Sequence, residues 1–216
     1  MCKMSEVSAY RRRNALEYLL EVFDSELILN EIMPISDNEL FEIIVNIIRE
    51  TEDERLKAEM VKRYNEEPNR FLLKNLIVLN VQEGLQFYID ASRTNNSICD
   101  YSDGIGEVTD AISSIYDINL LPLLLEAVRM RFSGSFQDGS FHTLYNSLQN
   151  AFLACAKTNY DLVRKSINSL KEEFSQNIEA INFCSVLQDN MIQNNKMSLI
   201  KKRSISEIQE ILRHVN

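Results

Sequence analysis

Residues 70–91 constrain the fold more than any other stretch. They read Arg-Phe-Leu-Leu-Lys-Asn-Leu-Ile-Val-Leu-Asn-Val-Gln-Glu-Gly-Leu-Gln-Phe-Tyr-Ile-Asp-Ala. Leu72, Leu73, Leu76, Ile77 and Leu79 recur at helical spacing, which predicts a helix over about 67–79 with Pro68 in its first turn. Asn80 ends it. Val81-Gln82-Glu83 opens a second helix, reaching about Arg93, whose inward stripe is Leu85, Tyr88, Ile89 and Ser92. Gly84 lets two helices approach closely, although glycine costs about 1 kcal/mol against alanine in a helix. The stretch is a helical hairpin.

The hairpin recurs in character. A shift of 35 places Leu76 on Ala111, Ile77 on Ile112, Gln82 on Asp117, Leu85 on Leu120 and Ile89 on Leu124. A further shift of 40 places Ala111 on Ala151, Ile112 on Phe152, Ile115 on Cys155, Asn119 on Asn159 and Leu123 on Val163. Each unit has a small or apolar pair in its first helix, a polar residue at the corner and an apolar stripe in its second. Two helices per 35–40 residues is a repeat-protein period. One such pair cannot bury both of its faces, so neighbouring pairs must stack.

These units resemble HEAT or armadillo-type helical repeats. The run Leu-Ile-x-Leu-Asn-x-x-x-Gly-Leu-x-x-Tyr-Ile at 76–89 is also similar to the HEAT-like units found C-terminal to the NTPase module of bacterial NACHT/STAND proteins. That resemblance implies a sensor or interaction domain, with a possible place in phage defence. It covers residues 66–175 clearly and the flanks loosely. The chain carries no GxxxxGK[ST] phosphate loop, so the NTPase part of such proteins has no counterpart here.

The rest of the chain agrees with an all-α reading. Five Gly and three Pro are few for 216 residues, and a sheet-rich domain needs more turn residues than that. A first helix is expected over 5–23, followed by a connection over 24–35 that Pro34 ends. Asp37 is expected to cap a helix to about Glu50, and a charged helix is expected over 52–64. Beyond the 70–93 hairpin, helices are expected at 105–115, 119–131 (capped by Asp117 or Asn119, with Pro122 in its first turn), 141–157, 160–175 (capped by Asn159) and 179–194. Leu162 and Val186 are placed on the apolar faces of the last two. Ser204, with Glu207 three residues on, forms a capping box for a final helix, whose Ile208, Ile211, Leu212 and Val215 would face inward. The expected fold is a right-handed α-α superhelix of about ten helices in stacked antiparallel pairs. It forms one domain over 1–216, with N-terminal helices at 1–64, the clearest repeats at 65–175 and C-terminal cap helices at 176–216.

Charge and cysteines bound the function classes. The net charge is −9, which disfavours a nucleic-acid partner because phosphate binding needs a basic stripe. Cys2, Cys99, Cys155 and Cys184 are far apart, with no CxxC pair. Cys155 and Cys184 sit in helical apolar patterns and read as reduced core thiols. With no signal peptide and no apolar run long enough to span a bilayer, the expected compartment is the cytoplasm.

No catalytic, cofactor or metal motif emerges. Gly104-Ile-Gly106 lacks the third glycine and the preceding strand of a dinucleotide site. Asp100, Asp103 and Glu107 cluster, but no glycine is placed as a Ca²⁺ loop requires. His142 and His214 have no carboxylate or thiol at ligand spacing. The triplets Arg11-Arg12-Arg13 and Lys201-Lys202-Arg203 read as solvated helix faces. Loops at 94–104 and 132–140 remain. In the second, Phe132, Phe136 and Phe141 punctuate a polar Gly/Ser stretch, so these rings are either tucked beneath it or offered to a partner. The candidate partner contacts are Phe132, Phe136, Phe141, Tyr101 and Asp103. The expected function is a non-enzymatic protein-interaction scaffold. The alternative is a nucleic-acid-binding HEAT-like protein, in the manner of the helical-repeat DNA glycosylases that the architecture resembles.

Overall fold

A computed structural model describes residues 28–32, 38–94, 105–134 and 141–215, and side chains at 28–30, 43–94, 107–134, 144–198 and 205. The described residues are all-helical. Nine α-helices run in order: α1 (Asn38–Thr51), α2 (Glu54–Glu66), α3 (Arg70–Val78), α4 (Gln82–Arg93), α5 (Ile105–Ile112), α6 (Leu121–Phe132), α7 (Phe141–Thr158), α8 (Tyr160–Glu173) and α9 (Ile178–Val215). A π turn at Ile28–Ile32 precedes them, and a 3₁₀ turn at Ile118–Leu120 leads into α6.

From α3 onward the helices form two layers. In one, α3 packs on α5, α5 on α7 and α7 on α9; in the other, α4 packs on α6 and α6 on α8. The hairpins α3/α4, α7/α8 and α8/α9 join the layers, and α2 packs on α3. The apolar positions of the repeat become this inter-layer core. Leu76, Ala111 and Ala151 are all buried, as are Ile77, Ile112 and Phe152, and then Ile115 and Cys155. One contiguous apolar cluster runs from Ile28 to Met191.

The corner at 79–81 shows how the sequence sets the hairpin. Asn80 takes a left-handed backbone, φ 56°. Its N–H donates to the Ile77 carbonyl (2.9 Å) and the Val81 N–H to that of Leu76 (3.0 Å). This is the paired 5→2 and 6→1 termination of a helix, and asparagine follows glycine as the residue that tolerates it. Immediately afterwards α4 crosses α3 at Gly84. A Cβ there would lie 2.7 Å from Leu76 Cβ and 2.9 Å from the Leu76 carbonyl carbon, so only glycine permits the contact.

Other boundaries are set by caps. Asp53 accepts from the N–H groups of Arg55 and Leu56, Asn69 from that of Leu72, and Asn159 from that of Leu162. Such side chains satisfy helix N–H groups that have no carbonyl partner. Because Asn69 is the cap of α3, Pro68 lies just outside the helix rather than in its first turn. Helix α5 ends at Ile112, three residues earlier than expected. Ser113 and Ser114 there donate their hydroxyls back to the Asp110 and Ala111 carbonyls, which competes with helix continuation. Asp117, not Asn119, caps the 3₁₀ turn.

The C-terminal segment differs most. It forms one 38-residue helix, α9, not two. Ser204 lies within that helix and is not its cap. Residues 195–203 contain neither Gly nor Pro and are mostly good helix formers, so nothing stops propagation. The core stripe of α9 is Ala180, Phe183, Cys184, Leu187 and Met191, whereas Val186, like Leu162 on α8, is exposed. The expectations for Asp37, for residues 1–27, and for the side chains of Ile208, Ile211, Leu212 and Val215 lie outside what is described.

Candidate interaction surface

Polar contacts between successive pairs build the two edges of the stack. At one edge, Asn80 Oδ1 accepts from the backbone N–H groups of Tyr116 (2.8 Å) and Asp117 (3.2 Å). The Asp117 carbonyl in turn accepts from Cys155 Sγ at 3.6 Å. Three consecutive corners are thereby linked. At the other edge, Asn177 Oδ1 caps α9 by accepting from the Ala180 N–H (3.1 Å), while its Nδ2 donates to the Phe132 carbonyl (3.2 Å) at the end of α6. Ion pairs bridge neighbours within each layer: Lys74–Glu107 at 3.2 Å, Arg129–Glu173 at 2.9 Å, and Arg93–Glu126. All are exposed or half-exposed, so each contributes little stability but fixes register.

With this register α4, α6 and α8 all end at the same edge. The connections after Thr94, after Phe132 and over 174–177 therefore leave from one side of the stack. Those are the two loops singled out in the sequence, joined by a third. Phe132 is half-buried. Its ring lies 5.9 Å from that of Phe174 and 5.7 Å from that of Phe183. Phe183 is the hub of this corner of the core, meeting Tyr145 edge-on at 4.9 Å and Phe152 at 6.3 Å. Phe132 is tucked beneath its loop, and a cavity of about 10 Å³ between it and Tyr145 has room for no more than one water. Tyr101, Asp103 and Phe136 lie outside the described residues, as does the side chain of Phe141, whose backbone begins α7. The apolar residue presented at this edge is Ile178, 75% exposed at the start of α9. Sequence reasoning passed over it, although an apolar first-turn residue after Ser175-Gln176-Asn177 was a signal.

A shallow groove between α8 and α9, about 270 Å³, is the largest concavity seen among the described residues. Tyr160, Arg164 and Asn168 form one wall, and Gln188, Asp189 and Ile192 the other. Gln188 Nε2 donates to Asn168 Oδ1 across its floor.

None of this assembles reactive chemistry among the described residues. No group of three His, Cys, Asp or Glu side chains is placed to hold a metal ion. Burial pushes the Cys155 thiol up from 9.0 to about 11, with the Asp117 carboxylate adding to the effect. Burial likewise raises Cys184 to about 11, partly offset by Lys171. Both are free thiols that stay protonated at neutral pH and are poor nucleophiles. Burial also raises the Tyr145 hydroxyl. Thr109 Oγ1 and Gln149 Nε2 are buried without a hydrogen-bond partner. They occupy equivalent positions 40 residues apart on α5 and α7, so they belong to the repeat and not to a localised site. No described helix is long and apolar enough to cross a membrane. No protein-family model, curated protein or solved structure matches the chain.

Proposed function

We propose that the chain is a non-enzymatic protein-interaction scaffold, built as a short HEAT/armadillo-like right-handed superhelix. The observation that carries this reading is the two-layered stacking of helix pairs, with polar links between successive corners and three connections leaving from one edge. Such a stack holds its connections rigidly and side by side, which suits a binding edge. Ile178 and the flanking connections form the contact, and Phe132 supports them from below. The nucleic-acid alternative is disfavoured by charge. Lys74, Arg93 and Arg129 are each engaged by a glutamate, and the net charge is −9.

The test is quantitative affinity capture from the source cell with wild type, Ile178→Asp at the proposed edge, and Tyr116→Asp at the opposite edge. Tyr116 is 55% exposed, so both variants leave the core intact. Partners retained by Tyr116→Asp and lost with Ile178→Asp support the assignment. Unchanged recovery with Ile178→Asp refutes it. Tight binding of DNA or RNA at low salt would replace the protein-scaffold reading with the nucleic-acid one.

A further inference from the structure

The groove between α8 and α9 lies where the stack would place its next outer-layer helix. Helices α4, α6 and α8 succeed one another in that layer, and the following position runs along Tyr160, Arg164 and Asn168 of α8 and Gln188, Asp189 and Ile192 of α9. Instead of turning back to fill it, α9 runs straight on past Met191, its last core residue. Residues 192–198 are all exposed. Ile192 is 43%, Met197 55% and Ile205 56% exposed, which is unusual for three large apolar residues on one projecting helix.

We propose that this groove receives the projecting half of α9 from a second copy of the chain, giving a two-fold dimer. Three observations select that occupant. The projecting part, Ile192 to Val215, is about 36 Å long at 1.5 Å per residue, enough to cover a neighbouring helix of this stack end to end. Its continuity carries it away from its own groove, so it reaches only another molecule's. Its charge is complementary. Residues 196–215 carry Lys196, Lys201, Lys202, Arg203 and Arg213 against Glu207 and Glu210, a net +3, which leaves −12 on the rest of the chain. A basic helix therefore projects from an acidic body. The apolar positions Ile205, Ile208, Leu212 and Val215 recur at three- and four-residue spacing, as a helix that packs in a groove requires. Each copy presents both groove and helix, so a two-fold arrangement satisfies both at once. The pairing does not depend on the scaffold reading, because it uses the α8/α9 groove and not the loop edge.

The experiment is light scattering on the full chain at micromolar concentration. Wild type is expected at about 50 kDa, twice the 25.1 kDa chain. Ile192→Asp/Ile205→Asp on the helix and Asn168→Trp in the groove should each halve that mass with unchanged helical circular dichroism. Asn168 is exposed, so its variant stays informative if the double aspartate variant misfolds. A monomeric wild type overturns the proposal. So does a dimer that persists in a folded Asn168→Trp variant, or growth beyond the dimer with concentration. A monomeric wild type would leave the Ile178 edge untouched.

Discussion

Replacing Gly84 with alanine adds one methyl group at the closest crossing in the stack. The new Cβ would sit 2.7 Å from Leu76 Cβ, 2.9 Å from the Leu76 carbonyl carbon and 3.0 Å from the Ile77 nitrogen. Ordinary contact begins near 3.4 Å, so α3 and α4 must part by about 0.7 Å. Two of the three opposing atoms are backbone, so no rotamer change relieves the clash. Overpacking of this kind costs roughly 1–3 kcal/mol. Alanine returns about 1 kcal/mol of helix propensity. The net expectation is a loss of about 1–2 kcal/mol, or a fall in Tm of roughly 2–8 °C for a chain of this size. Because α3 also packs on α5 and α2, the displacement is resisted on both sides. Thermal and urea denaturation followed by circular dichroism would measure it, with exposed Glu83→Ala as the control for helix propensity alone. A Gly84→Ala variant as stable as Glu83→Ala would refute the close-crossing argument.

Three further outcomes follow. Asn80→Ala should cost about 2–3 kcal/mol, from a strained left-handed backbone and two lost hydrogen bonds; Asn80→Gly should cost less, and Asn80→Asp, which keeps the acceptor, least. Equal losses for all three, by urea titration, would mean the side chain does not link the corners. Phe183→Ala should cost about 3–5 kcal/mol, because the ring is buried against Phe132, Tyr145 and Phe152; a loss under 1 kcal/mol would remove it as the hub. The thiols of Cys155 and Cys184 have folded pKa values raised from 9.0 to about 11, so the fold favours their protonated form. Their stabilisation is present below pH 9 and lost as pH rises through about 11, a fall of roughly 2–3 kcal/mol per thiol at about 1.4 kcal/mol per pH unit. Tyr145, also raised, acts in the same direction. Stability that stays flat between pH 9 and 11, or rapid alkylation of either thiol in the native state at pH 8, would contradict their burial.

The repeat was legible because its signal is geometric. Small or apolar residues at 76/77, 111/112 and 151/152 sit on every inner helix face, and all six are buried. Gly84 and Asn80 were readable for the same reason, since each residue type answers a local backbone demand. The polar links were not readable. Nothing local announces that Asn80 reaches residues 116 and 117, or that Asn177 both caps α9 and holds the Phe132 carbonyl, because these contacts exist only once the pairs have stacked. Phe132 illustrates the limit of loop chemistry. Its neighbours in sequence are polar, while its neighbours in space, Phe174 and Phe183, lie more than 40 residues away. The continuous α9 was missed because Ser204 and Glu207 match a capping box, yet such a box starts a helix only where the preceding residues leave one. Here Lys196 to Arg203 propagate it.

The central claim is that helix pairs stack so that α3 lies directly against α5. Zero-length carbodiimide cross-linking tests it in a single measurement, because it converts a Lys–carboxylate contact into an amide. Lys74 Nζ lies 3.2 Å from Glu107 Oε2, across 33 residues of sequence, while Lys57 Nζ lies 2.7 Å from Glu54 Oε1 within one helix and serves as the internal standard. Mass spectrometry of the monomeric product is expected to find both links. A Lys57–Glu54 link without any Lys74–Glu107 link would contradict the stacked arrangement.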